Sequence, residues 1–439
     1  MRMIARRSSL GAGVLTLAAG LAACGSTASA SAQNAKVTLT LWQNYGTEAN
    51  AVATTNLIKA FEKLHPNITI KDVAQPASNY FSLLQAAAIS HTGPDLAVMW
   101  TGLFTLQYRS YLQNLKQYVP ASDLARMRGM QWTAPGFNPA NGTYVIPLED
   151  QFYIGFYNKA LFRKAGVTSV PQTWSQLFND CQKFKSAGIT CMYYGSGSQS
   201  LGSEFYPWYD MSYMMIGEYP VSKWQGLFNG TIPWTSPAIV GQLTNWQKLY
   251  TSGYTNRNVV TATNSLAAFG AGNAAMMIKG NWDLATLQKE MGSNLGTFVP
   301  PFSNSPQRGV VQFPGDGYAM TSYSTHKAAA AEFLQFLTTP QAGKIVTQSG
   351  LISDVKGVAN NDPLSQQMLD FSAKQGMTQY PMLDNIAQPG VVSAGSSVLP
   401  ALLAGQMTPA QGAQKLEQAW QALPASERGS TFASYTSQG

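Results

Sequence analysis

Hydrophobic positions in the first hundred residues switch between two spacings, which predict strands and helices in alternation. From Lys36, the run KVTLTLW is apolar and β-branched, as expected of a buried strand. Apolar residues then recur at helical spacing through NAVATTNLIKAFEKLHP, which predicts a helix that stops at Pro66. NITIKDVA and DLAVMW are predicted strands on either side of the helical stretch NYFSLLQAAAISHTG. This order is typical of a doubly wound sheet, whose ligands bind beyond the carboxyl ends of the strands.

The later chain predicts more elements of both kinds. YVIPLEDQFYIGFYN is predicted to form a strand pair at the point where a first lobe of ordinary size would be complete. Helices are predicted within PQTWSQLFNDCQKF, IVGQLTNWQKLYTSG, AAEFLQFLTTPQAGKIVTQSG and PAQGAQKLEQAW, and SEFYPWYDMSY is predicted to be an aromatic loop. A chain of 439 residues exceeds what one hydrophobic core organises, so we expect two lobes. No segment recurs at a period of about 20–50 residues, which excludes solenoids and propellers.

Charged residues are scarce in this chain. They make up 11% of it against 45% apolar residues, so Gln, Asn, Ser and Thr carry the surface, which suits an exported, folded protein. Arg2, Arg6 and Arg7 lie in the first ten residues; without these three of the 28 basic residues, 25 remain against 21 acidic ones, a formal charge of +4 instead of +7. The remaining basic residues are scattered rather than gathered into a stripe, so we expect no nucleic-acid partner.

The N-terminus predicts an export signal. MRMIARRSSLGAGVLTLAAGLAAC has a basic head and an apolar run from Leu10 to Ala23, too short to cross about 30 Å of hydrocarbon as a helix. Its end, LAAC, resembles the lipobox of bacterial lipoproteins, in which the cysteine takes a diacylglycerol and becomes the first mature residue. We therefore expect residues 1–23 to be a lipoprotein signal peptide and Cys24 to be lipidated. An ordinary signal peptide with an incidental cysteine is the alternative, and Arg6-Arg7 leaves twin-arginine export open.

Residues 24–36 predict a flexible tether, because GSTASASAQNA is small, polar and free of aromatic residues. A protein tethered through Cys24 works at the outer face of the cell membrane. Cys181 and Cys191 are the remaining cysteines, at the end of a predicted helix and in the strand ITCMYY. Export permits them to pair. The sequence leaves two states open, a disulfide and two buried free thiols.

The stretch FGAGNAAMMIKGNWD carries two incompatible signals. Gly270, Gly272 and Ala275 match the loose G-x-G-x-x-A form of a dinucleotide fingerprint, whereas Trp282 and Asp283 form an aromatic and acceptor pair suited to a sugar. A dinucleotide fingerprint follows a strand and opens a helix. Here the glycines follow a helical stretch and precede AAMMIKG, a predicted strand, so we predict a turn, and then a bend at Gly280 that projects Trp282 into a cleft.

Six segments occur in an order shared with a known family: LTLW leading into IKAFEKLHPNITI, TGPDLAVMW, GTYVIPLEDQFYIGFYNKALFRKAGVTSVPQTWSQL, FGAGNAAMMIKGNW, THKAAAAEFLQFLTTPQAGKIVTQSGLI and LLAGQMTPAQGA. Through them the chain resembles, from Val37 to Trp420, the extracellular solute-binding proteins, family 1, of bacterial ABC importers, which include maltose-binding protein.

The resemblance implies an α/β architecture, the two-lobed periplasmic-binding-protein-like fold of type II, in which each lobe is a sheet flanked by helices and the ligand cleft lies at the hinge. The N-terminal lobe would comprise residues 37–148 and about 300–340, and the C-terminal lobe residues 149–299 and about 341–439. Such a protein binds a small-molecule carbohydrate, closes around it and presents it to the transmembrane subunits of an ABC permease. Catalysis, cofactor and metal are not implied, and we expect a monomer.

Candidate ligand-binding residues are aromatic platforms flanked by acids and amides, because a pyranose ring offers apolar faces and hydroxyl edges. Trp282 matches the tryptophan of the family's G-x-W position, which commonly faces the ligand. Packing is the alternative for Trp42, Trp100, Tyr206 and Trp208, and exposure to solvent is the alternative for Glu149 and Asp150. The full candidate set is Trp42, Gln43, Asn44, Glu48, Trp100, Thr101, Glu149, Asp150, Tyr206, Trp208, Asp210, Trp282, Asp283 and Asp316.

Other functions are kept as alternatives. A secreted glycoside hydrolase needs two carboxylates across a glycosidic bond, and the sequence marks no such pair. His65, His91 and His326 are too dispersed to suggest a metal site or a triad. A glycerol phosphate would require Arg or Lys in the cleft, and a polyamine would require more carboxylates. The named loops hold aromatic residues, a few acids and almost no arginine, which favours an uncharged sugar, and their several platforms favour an oligosaccharide.

Overall fold

The computed structural model describes residues 36–46, 48–135, 138–195 and 206–428. The predicted signal peptide, Cys24 and nearly all of the predicted tether lie outside these residues. The strands are β1 Val37–Gln43, β2 Ile68–Ala74, β3 Leu96–Trp100, β4 Ile146–Pro147, β5 Asp150–Asn158, β6 Thr190–Met192, β7 Ala274–Gly280, β8 Leu295–Phe298, β9 Gly309–Pro314, β10 Asp316–Met320 and β11 Thr378–Tyr380.

The described α-helices cover both faces of the sheets. Many begin at side-chain caps or at proline, which stabilise a first turn; the helix Pro409–Gln421, for example, opens with a reciprocal capping box between Thr408 and Gln411. In chain order they are α1 Ala49–Leu64, α2 Tyr80–Ser90, α3 Leu103–Tyr108, α4 Ala121–Leu124, α5 Lys159–Lys164, α6 Trp174–Ser186, α7 Trp208–Glu218, α8 Gln225–Asn229, α9 Pro237–Thr251, α10 Ser265–Gly270, α11 Leu284–Met291, α12 Lys327–Leu337, α13 Pro340–Gln348, α14 Pro363–Ala373, α15 Leu383–Ile386, α16 Pro389–Leu403 and α17 Pro409–Gln421.

The first lobe is built on a five-stranded sheet in the order β2-β1-β3-β10-β4. β1 pairs in parallel with β2 and β3, whereas β10 runs antiparallel to β3 and β4, so the sheet is mixed. Leu39, Leu41 and Val98 point to one face and pack with α1 and α12. Ala97 and Met99, one position out of phase, pack on the other face with residues of α2. Burial of both faces explains why β3 has the continuous apolar sequence LAVMW.

The second lobe is built on a six-stranded sheet in the order β11-β9-β5-β7-β6, with β8 also paired to β5. β5 runs antiparallel to β7, β8 and β9, and it is buried along almost its whole length. Helices α6, α7, α9, α16 and α17 supply a core rich in aromatic residues and methionine. A disulfide joins Cys181 of α6 to Cys191 of β6, which answers the question that the sequence leaves open.

Three short segments connect the lobes. The chain passes from β4 to β5 through Leu148 and Glu149, and it returns from β9 to β10 through Gly315. Ile352 and Ser353, which precede the third passage, lie beside these two crossings, because Asp150 N donates to the Ile352 carbonyl at 2.8 Å and Glu149 pairs with Ser353. This arrangement is the expected hinge of crossing strands.

The bounds of the lobes differ from the expected ones at two places. Residues 309–314 form β9 of the second sheet, so the chain re-enters the first sheet at Asp316 rather than at about residue 300. Helix α13 still packs on the first lobe, because its apolar face with Ala342 and Val346 is buried there, and Val355 belongs to the same core. The last passage to the second lobe therefore follows Val355 rather than residue 340.

The aromatic stretch predicted as a loop is mostly helix. Residues 196–205 lie outside the described part, but Trp208 to Glu218 form α7. Nearly every side chain of this helix is buried, so its sequence has no polar face and lacks the periodicity of an amphipathic helix. At the glycines of FGAG the prediction is confirmed: α10 ends at Gly270, Gly272 takes a φ of +83° in the turn, and β7 follows.

Candidate functional site

Trp282 lies between the two lobes. It stands in a single 3-10 turn, Asn281–Asp283, that follows β7 and leads into α11. The side chain of Asn281 fixes the turn, because its oxygen accepts from Phe152 N at 2.9 Å and its amide donates to the Asp150 carbonyl at 3.2 Å. Trp282 is half-buried and contacts the hydrophobic cores of both lobes. The turn therefore delivers this indole ring to the interlobe space.

Gly280 serves Trp282 for a reason other than the predicted bend. Its φ of −80° is one that any residue adopts, so the backbone requires no glycine there. A β-carbon at Gly280, however, would lie 2.1 Å from the indole ring of Trp282. The missing side chain provides the space in which the indole packs against the strand.

Three tyrosines of the second lobe lie near Trp282: Tyr153, Tyr206 and Tyr209. We call these three tyrosines and Trp282 the aromatic wall. The ring centroids of Tyr153 and Tyr209 are 4.6 Å apart, and those of Tyr206 and Tyr209 are 5.3 Å apart. The Trp282 ring lies 6.1 Å from Tyr153 and 6.2 Å from Tyr209. These distances are typical of interacting aromatic rings. The wall combines β5, the start of α7 and the turn after β7.

Asp384 of α15 holds two members of the wall in place. The Tyr153 hydroxyl donates to Asp384 Oδ1 at 2.8 Å, and the Tyr206 hydroxyl donates to Asp384 Oδ2 at 2.7 Å. Burial raises the pKa of Asp384, while the hydrogen bonds from the two tyrosines lower it. A single carboxyl group therefore orients two rings that the sequence places far apart.

Two carboxylates and one lysine lie beside the aromatic wall. Glu48 comes from the first lobe, directly before α1, and α1 packs against the turn that carries Asp283. Burial raises the pKa of Glu48 to about 8, with the negative charge of Asp283 as the next cause. The Lys279 ammonium lies 5.8 Å from the Tyr209 ring centroid and lowers the pKa of both carboxyls. Within the described residues, no hydrogen bond reaches the carboxylate of Glu48 or of Asp283.

Glu149 and Asp316 add two more acids at the crossing segments. Glu149 is fully buried, and its Oε1 accepts from the side chains of Asn50 and, at 2.8 Å, Gln151. Burial raises the pKa of Glu149 to about 7. The pKa of Asp316 lies well above its usual range, first through burial and then through the charges of Glu149 and Glu48. The folded chain therefore gathers carboxylates that are dispersed in the sequence.

The first lobe presents its own aromatic cluster, formed by Phe81, Trp100 and Phe104. The Trp100 ring lies 4.8 Å from both phenylalanines, and those two rings stack at 5.2 Å. All three residues are half-buried. Trp42 is also half-buried and packs on the same layer, where its carbonyl accepts from the Tyr80 hydroxyl at 3.1 Å. Trp42 and Trp100 thus keep accessible ring surface at the carboxyl ends of β1 and β3.

Three other candidates from the first lobe are buried. Gln43 accepts from Tyr45 N at 2.8 Å through its side-chain oxygen. Thr101 donates from its backbone to the Gly315 carbonyl at 2.9 Å and from its hydroxyl to Pro314, which ties β3 to the return crossing. Within the described residues, the side-chain oxygen of Asn44 has no hydrogen-bond partner although the residue is only 5% exposed.

Trp208 and Asp210 lie inside the core of the second lobe. Trp208 is fully buried and its indole N–H donates to the Val392 carbonyl at 3.2 Å. Asp210 accepts from the indole N–H of Trp246 at 2.8 Å, and burial raises its pKa to about 7. Both residues are held by the protein, so we leave them out of the proposed site. Asp150, which is buried and accepts from Gln312 at 2.6 Å, is left out for the same reason.

Sequence reasoning did not select Tyr153, Tyr209, Lys279 or Asp384. Tyr153 and Tyr209 lie within segments that it did single out, and Lys279 stands three residues before Trp282. Asp384 carries no local signal, since MLDNIAQPG resembles no motif.

The described residues hold no group of three or more His, Cys, Asp and Glu side chains arranged for a metal ion. None of the helices in that part of the chain combines the length and the apolar character needed to span a bilayer.

Comparisons with known proteins agree with this architecture. A sequence profile of the family described as bacterial extracellular solute-binding protein matches residues 45–344. The chain therefore belongs to this family, a class of substrate-binding proteins.

Curated relatives are distant and only partly covered. A binding protein of Brucella abortus strain 2308 is 25% identical over 284 residues, which are 64% of this chain and 66% of that protein. An sn-glycerol-3-phosphate-binding periplasmic protein of Yersinia enterocolitica is 26% identical over 212 residues, 44% of this chain and 45% of that protein. The chain thus matches just under two thirds of the first relative and under half of the second.

Solved structures match over most of their length. A chitin oligosaccharide binding protein superposes with a TM-score of 0.76 at 22% identity, covering 88% of this chain and 98% of that one. The GacH receptor of Streptomyces glaucescens superposes with a TM-score of 0.73 at 20% identity, covering 88% and 98% respectively. The chain therefore has the two-lobed periplasmic-binding-protein-like fold.

Proposed function

We propose that this protein is the substrate-binding lipoprotein of an ABC importer, which captures an oligosaccharide between its lobes and delivers it to the membrane permease. The observation that carries the proposal is the aromatic wall at the interlobe space, with Glu48 of the first lobe and Asp283 of the second beside it. Aromatic rings cover the apolar faces of a sugar at about 25 cal/mol per Å2, and carboxylates accept from its hydroxyls.

Closure of the lobes would couple binding to delivery. Trp282 contacts both hydrophobic cores, and the aromatic cluster of Trp100 adds ring surface from the first lobe. A ligand that touches both lobes stabilises the closed state, because only that state offers it both sets of contacts. The permease would then recognise the closed form.

The names of the structural neighbours support a sugar as the ligand. One is described as a chitin oligosaccharide binding protein, and the GacH receptor is described in complex with acarbose and an acarbose homolog. Because their identity to this chain is 22% or less, they support the class of ligand and not a particular sugar.

Glycerol phosphate fits the described residues poorly. The Yersinia relative is named for that ligand, and a phosphate needs cationic donors. Among the described residues beside the aromatic wall, Lys279 is the cation that acts on the two acids Glu48 and Asp283, and it lies against the Tyr209 ring. One lysine shared with two acids is a poor set of donors for a phosphate, so an uncharged ligand is favoured.

We further propose that the protein has no catalytic activity. Hydrolysis of a glycosidic bond needs one carboxylic acid and one carboxylate across the bond. Asp384 already accepts from two tyrosine hydroxyls, one at each oxygen, and Glu149 Oε1 accepts from two side-chain amides, so protein donors orient both carboxyl groups. Purified protein incubated with aryl glycosides should release no phenol; measurable release that Asp283→Asn abolishes would contradict this.

Lipid attachment at Cys24 is part of the proposal and rests on the LAAC sequence after an apolar run. Expressed in a bacterium, the full chain should partition with the membrane fraction and carry a diacylglycerol mass on its N-terminal cysteine. A Cys24→Ser variant should be released or retain its leader. If the wild-type chain lacks the lipid mass, the anchor is wrong, while the binding function stands untouched.

A thermal-shift screen tests the binding function directly. Mono-, di- and trisaccharides, sn-glycerol 3-phosphate and spermidine are compared by the shift in Tm, because a ligand that binds only the folded state stabilises it. We expect an oligosaccharide to shift the midpoint with a Kd near the micromolar range, about −8 kcal/mol. A shift by the phosphate ester or by spermidine alone would overturn the sugar assignment.

A further inference from the structure

Three basic side chains lie together on the surface of the second lobe. The Lys185 ammonium and the Arg257 guanidinium each lie 3.4 Å from the point that a β-carbon at Gly253 would occupy. Arg257 also packs on Tyr250, with its guanidinium carbon 5.9 Å from the ring centroid. Lys248, in the last turn of α9, is the third member, and all three basic residues are exposed. We call these three residues the basic face.

Aromatic rings join Lys185 and Lys248 into one surface. The Lys185 ammonium lies 5.8 Å from the Tyr254 ring centroid, and the Lys248 ammonium lies 4.5 Å from that of Phe178. The centroids of these two rings are 6.4 Å apart. Both rings are half-buried, so they support the cations from below. The basic face is therefore a continuous surface and not three separate side chains.

Within the described residues, no carboxylate forms an ion pair with the basic face. Asp180, the acid of α6, pairs instead with Lys183 at 2.9 Å. Residues 237–257, which contain α9 and the turn after it, hold no Asp or Glu. Aromatic rings thus stabilise the three positive charges without neutralising them, which leaves the charges available to an external anion.

Helix capping accounts for one member of the face only. The Lys185 ammonium donates to the Ser252 carbonyl at 2.8 Å, directly after the end of α9. A lysine in this place stabilises the last turn of a helix without any external partner. Lys248 and Arg257 donate no side-chain hydrogen bond among the described residues. Capping therefore does not explain why three cations are gathered here.

The disulfide between Cys181 and Cys191 supports the basic face from within. Cys181 stands in α6 between Phe178 and Lys185. Cys191 N donates to the Tyr254 carbonyl at 3.0 Å, so the other end of the disulfide is joined to the segment that carries the Tyr254 ring. The cations are held on a cross-linked framework before any partner binds. Preorganisation of this kind lowers the entropic cost of binding.

We propose that the basic face binds the anionic phospholipid surface of the membrane to which the protein is anchored. The inference rests on the lipid anchor at Cys24, which is part of the proposed function, and it is independent of the sugar site. The chain from Cys24 to Val37 spans at most about 45 Å when fully extended. The anchor therefore keeps the start of β1 within that distance of the bilayer.

This proximity makes a weak contact sufficient. Anionic headgroups attract Lys and Arg near the surface, and the attraction falls off within a Debye length, about 8–10 Å at physiological salt. Three cations would hold a freely diffusing protein only weakly. The anchor converts docking into an intramolecular step with a high effective concentration of lipid. The ammonium and guanidinium groups would then donate to phosphate oxygens and fix which side of the second lobe faces the membrane.

Lysine footprinting of the full chain tests the proposal. The protein is reconstituted into vesicles of phosphatidylcholine alone and of equal parts phosphatidylcholine and phosphatidylglycerol, and mass spectrometry follows acetylation at each lysine. We expect labelling of Lys185 and Lys248 to slow by at least about threefold in the anionic vesicles and to recover at high salt, because salt screens the attraction. Lys59 and Lys63, exposed on α1 of the first lobe, should be labelled equally in both.

Two double variants locate the effect. Lys248→Glu with Arg257→Glu reverses two charges of the basic face, so labelling of Lys185 should become equal in the two kinds of vesicle. Lys59→Glu with Lys63→Glu changes the net charge of the protein by the same amount and should leave the protection of Lys185 intact. Thermal melts establish that both variants are folded, and the Tm shift caused by a sugar should match that of the wild type in both.

The outcomes separate this inference from the sugar-binding function. Equal labelling of Lys185 and Lys248 in both kinds of vesicle, or protection that persists in Lys248→Glu with Arg257→Glu, overturns the membrane assignment while the sugar site stands. Protection that appears only when soluble polyphosphate is added to neutral vesicles overturns it in favour of a soluble polyanion. The same spectra give the mass of the N-terminal peptide. A peptide without diacylglycerol on Cys24 would overturn both the anchor and this inference, whereas sugar binding is measured separately by the Tm shift.

Discussion

The Tyr153 hydroxyl donates to the carboxylate of Asp384 at 2.8 Å, although 231 residues separate them in the chain. Tyr153 stands in β5, directly after the first crossing between the lobes, and Asp384 stands in a one-turn helix near the end of the second lobe. The same carboxylate accepts from Tyr206 at 2.7 Å. The shape of the aromatic wall thus depends on one acid that does not itself belong to the wall.

Replacing Asp384 with Asn should therefore weaken ligand binding indirectly. Asn keeps one acceptor and introduces a donor, so one of the two tyrosine hydroxyls loses its acceptor, at a cost of about 1–2 kcal/mol in stability. We expect about tenfold weaker sugar binding by calorimetry, since Tyr206 is free to reorient. Asp370→Asn, at an acid of α14 that pairs with Lys374, is the control. Unchanged affinity in Asp384→Asn would show that the hydrogen bonds from the tyrosines to Asp384 are not needed for ligand binding.

Trp282→Ala should remove binding without unfolding the protein. The indole is half-buried and contacts both lobes, so its loss takes away ring surface for the ligand and contact between the lobes. We expect a loss of affinity of at least about 100-fold, as for a central aromatic anchor. Trp420→Ala, a half-buried tryptophan of α17, measures the general cost of removing an indole. A similar loss of affinity in both variants would contradict the assigned role of Trp282.

Gly280→Ala tests the packing of the same indole with a single methyl group. The new β-carbon would lie 2.1 Å from the ring, so the ring must move while the backbone tolerates alanine. Affinity should fall by about tenfold with a small change in Tm. Gly241→Ala in α9 meets no atom within 4 Å and should stabilise the helix by about 0.5–1 kcal/mol. Normal binding by Gly280→Ala would place the ligand away from Trp282.

The free energy of unfolding should depend on pH through the protonation of Glu149. Burial raises its pKa in the folded state from the usual 4.5 to about 7, so the folded protein holds a proton that the unfolded chain releases. The contribution of Glu149 to the free energy of unfolding is therefore complete below about pH 4.5 and is lost as pH rises through 7. At pH 8 the loss amounts to about 3 kcal/mol as an upper bound.

Glu149→Gln isolates that effect. Its carbonyl can still accept from Asn50 and Gln151, and its amide stays neutral at every pH. Chemical denaturation at pH 5 and pH 8 should show the variant gaining stability relative to wild type as pH rises. Parallel curves for the two proteins would mean that Glu149 is not protonated in the fold.

Cys181→Ala with Cys191→Ala should lower the stability of the second lobe. The disulfide closes a loop with a sequence separation of 10 and lies within the hydrophobic core. Loss of such a short cross-link costs roughly 2–3 kcal/mol in the chain-entropy account. Sugar affinity should stay unchanged, because neither residue approaches the aromatic wall through any described contact. A double variant as stable as wild type in reducing and oxidising buffer would contradict the prediction.

Much of the fold could be predicted because its signals are local. β1, α1, β2, α2 and β3 follow from apolar spacing and from the stop at Pro66, and the strand after FGAG follows from its apolar run. The exception is α7, whose side chains are buried on all sides, so no polar face marks it as a helix. The predicted residue at which the chain returns to the first lobe was wrong because β9 and β10 are separated by Gly315 alone and belong to different sheets.

The candidate site was predictable only in part. Trp282, Tyr206, Glu48 and Asp283 stood out because aromatic and acidic residues lay near predicted strand ends and turns. Trp208 stands two residues after Tyr206 in the same aromatic stretch, yet Trp208 is buried in the core whereas the Tyr206 hydroxyl donates to Asp384. Which of the two is buried depends on how α7 and the residues before it pack against the sheet, which no local pattern encodes.

The place of β10 in the first sheet has a consequence for the order in which the chain acquires structure. β10 lies between β3 and β4 and is the strand that joins them, yet it is made only at residues 316–320. A nascent chain that has emerged as far as β8 therefore lacks the middle of its N-terminal sheet. About three quarters of the sequence must therefore be synthesised before the N-terminal sheet can form completely. This delay gives an export machinery time to engage an unfolded polypeptide.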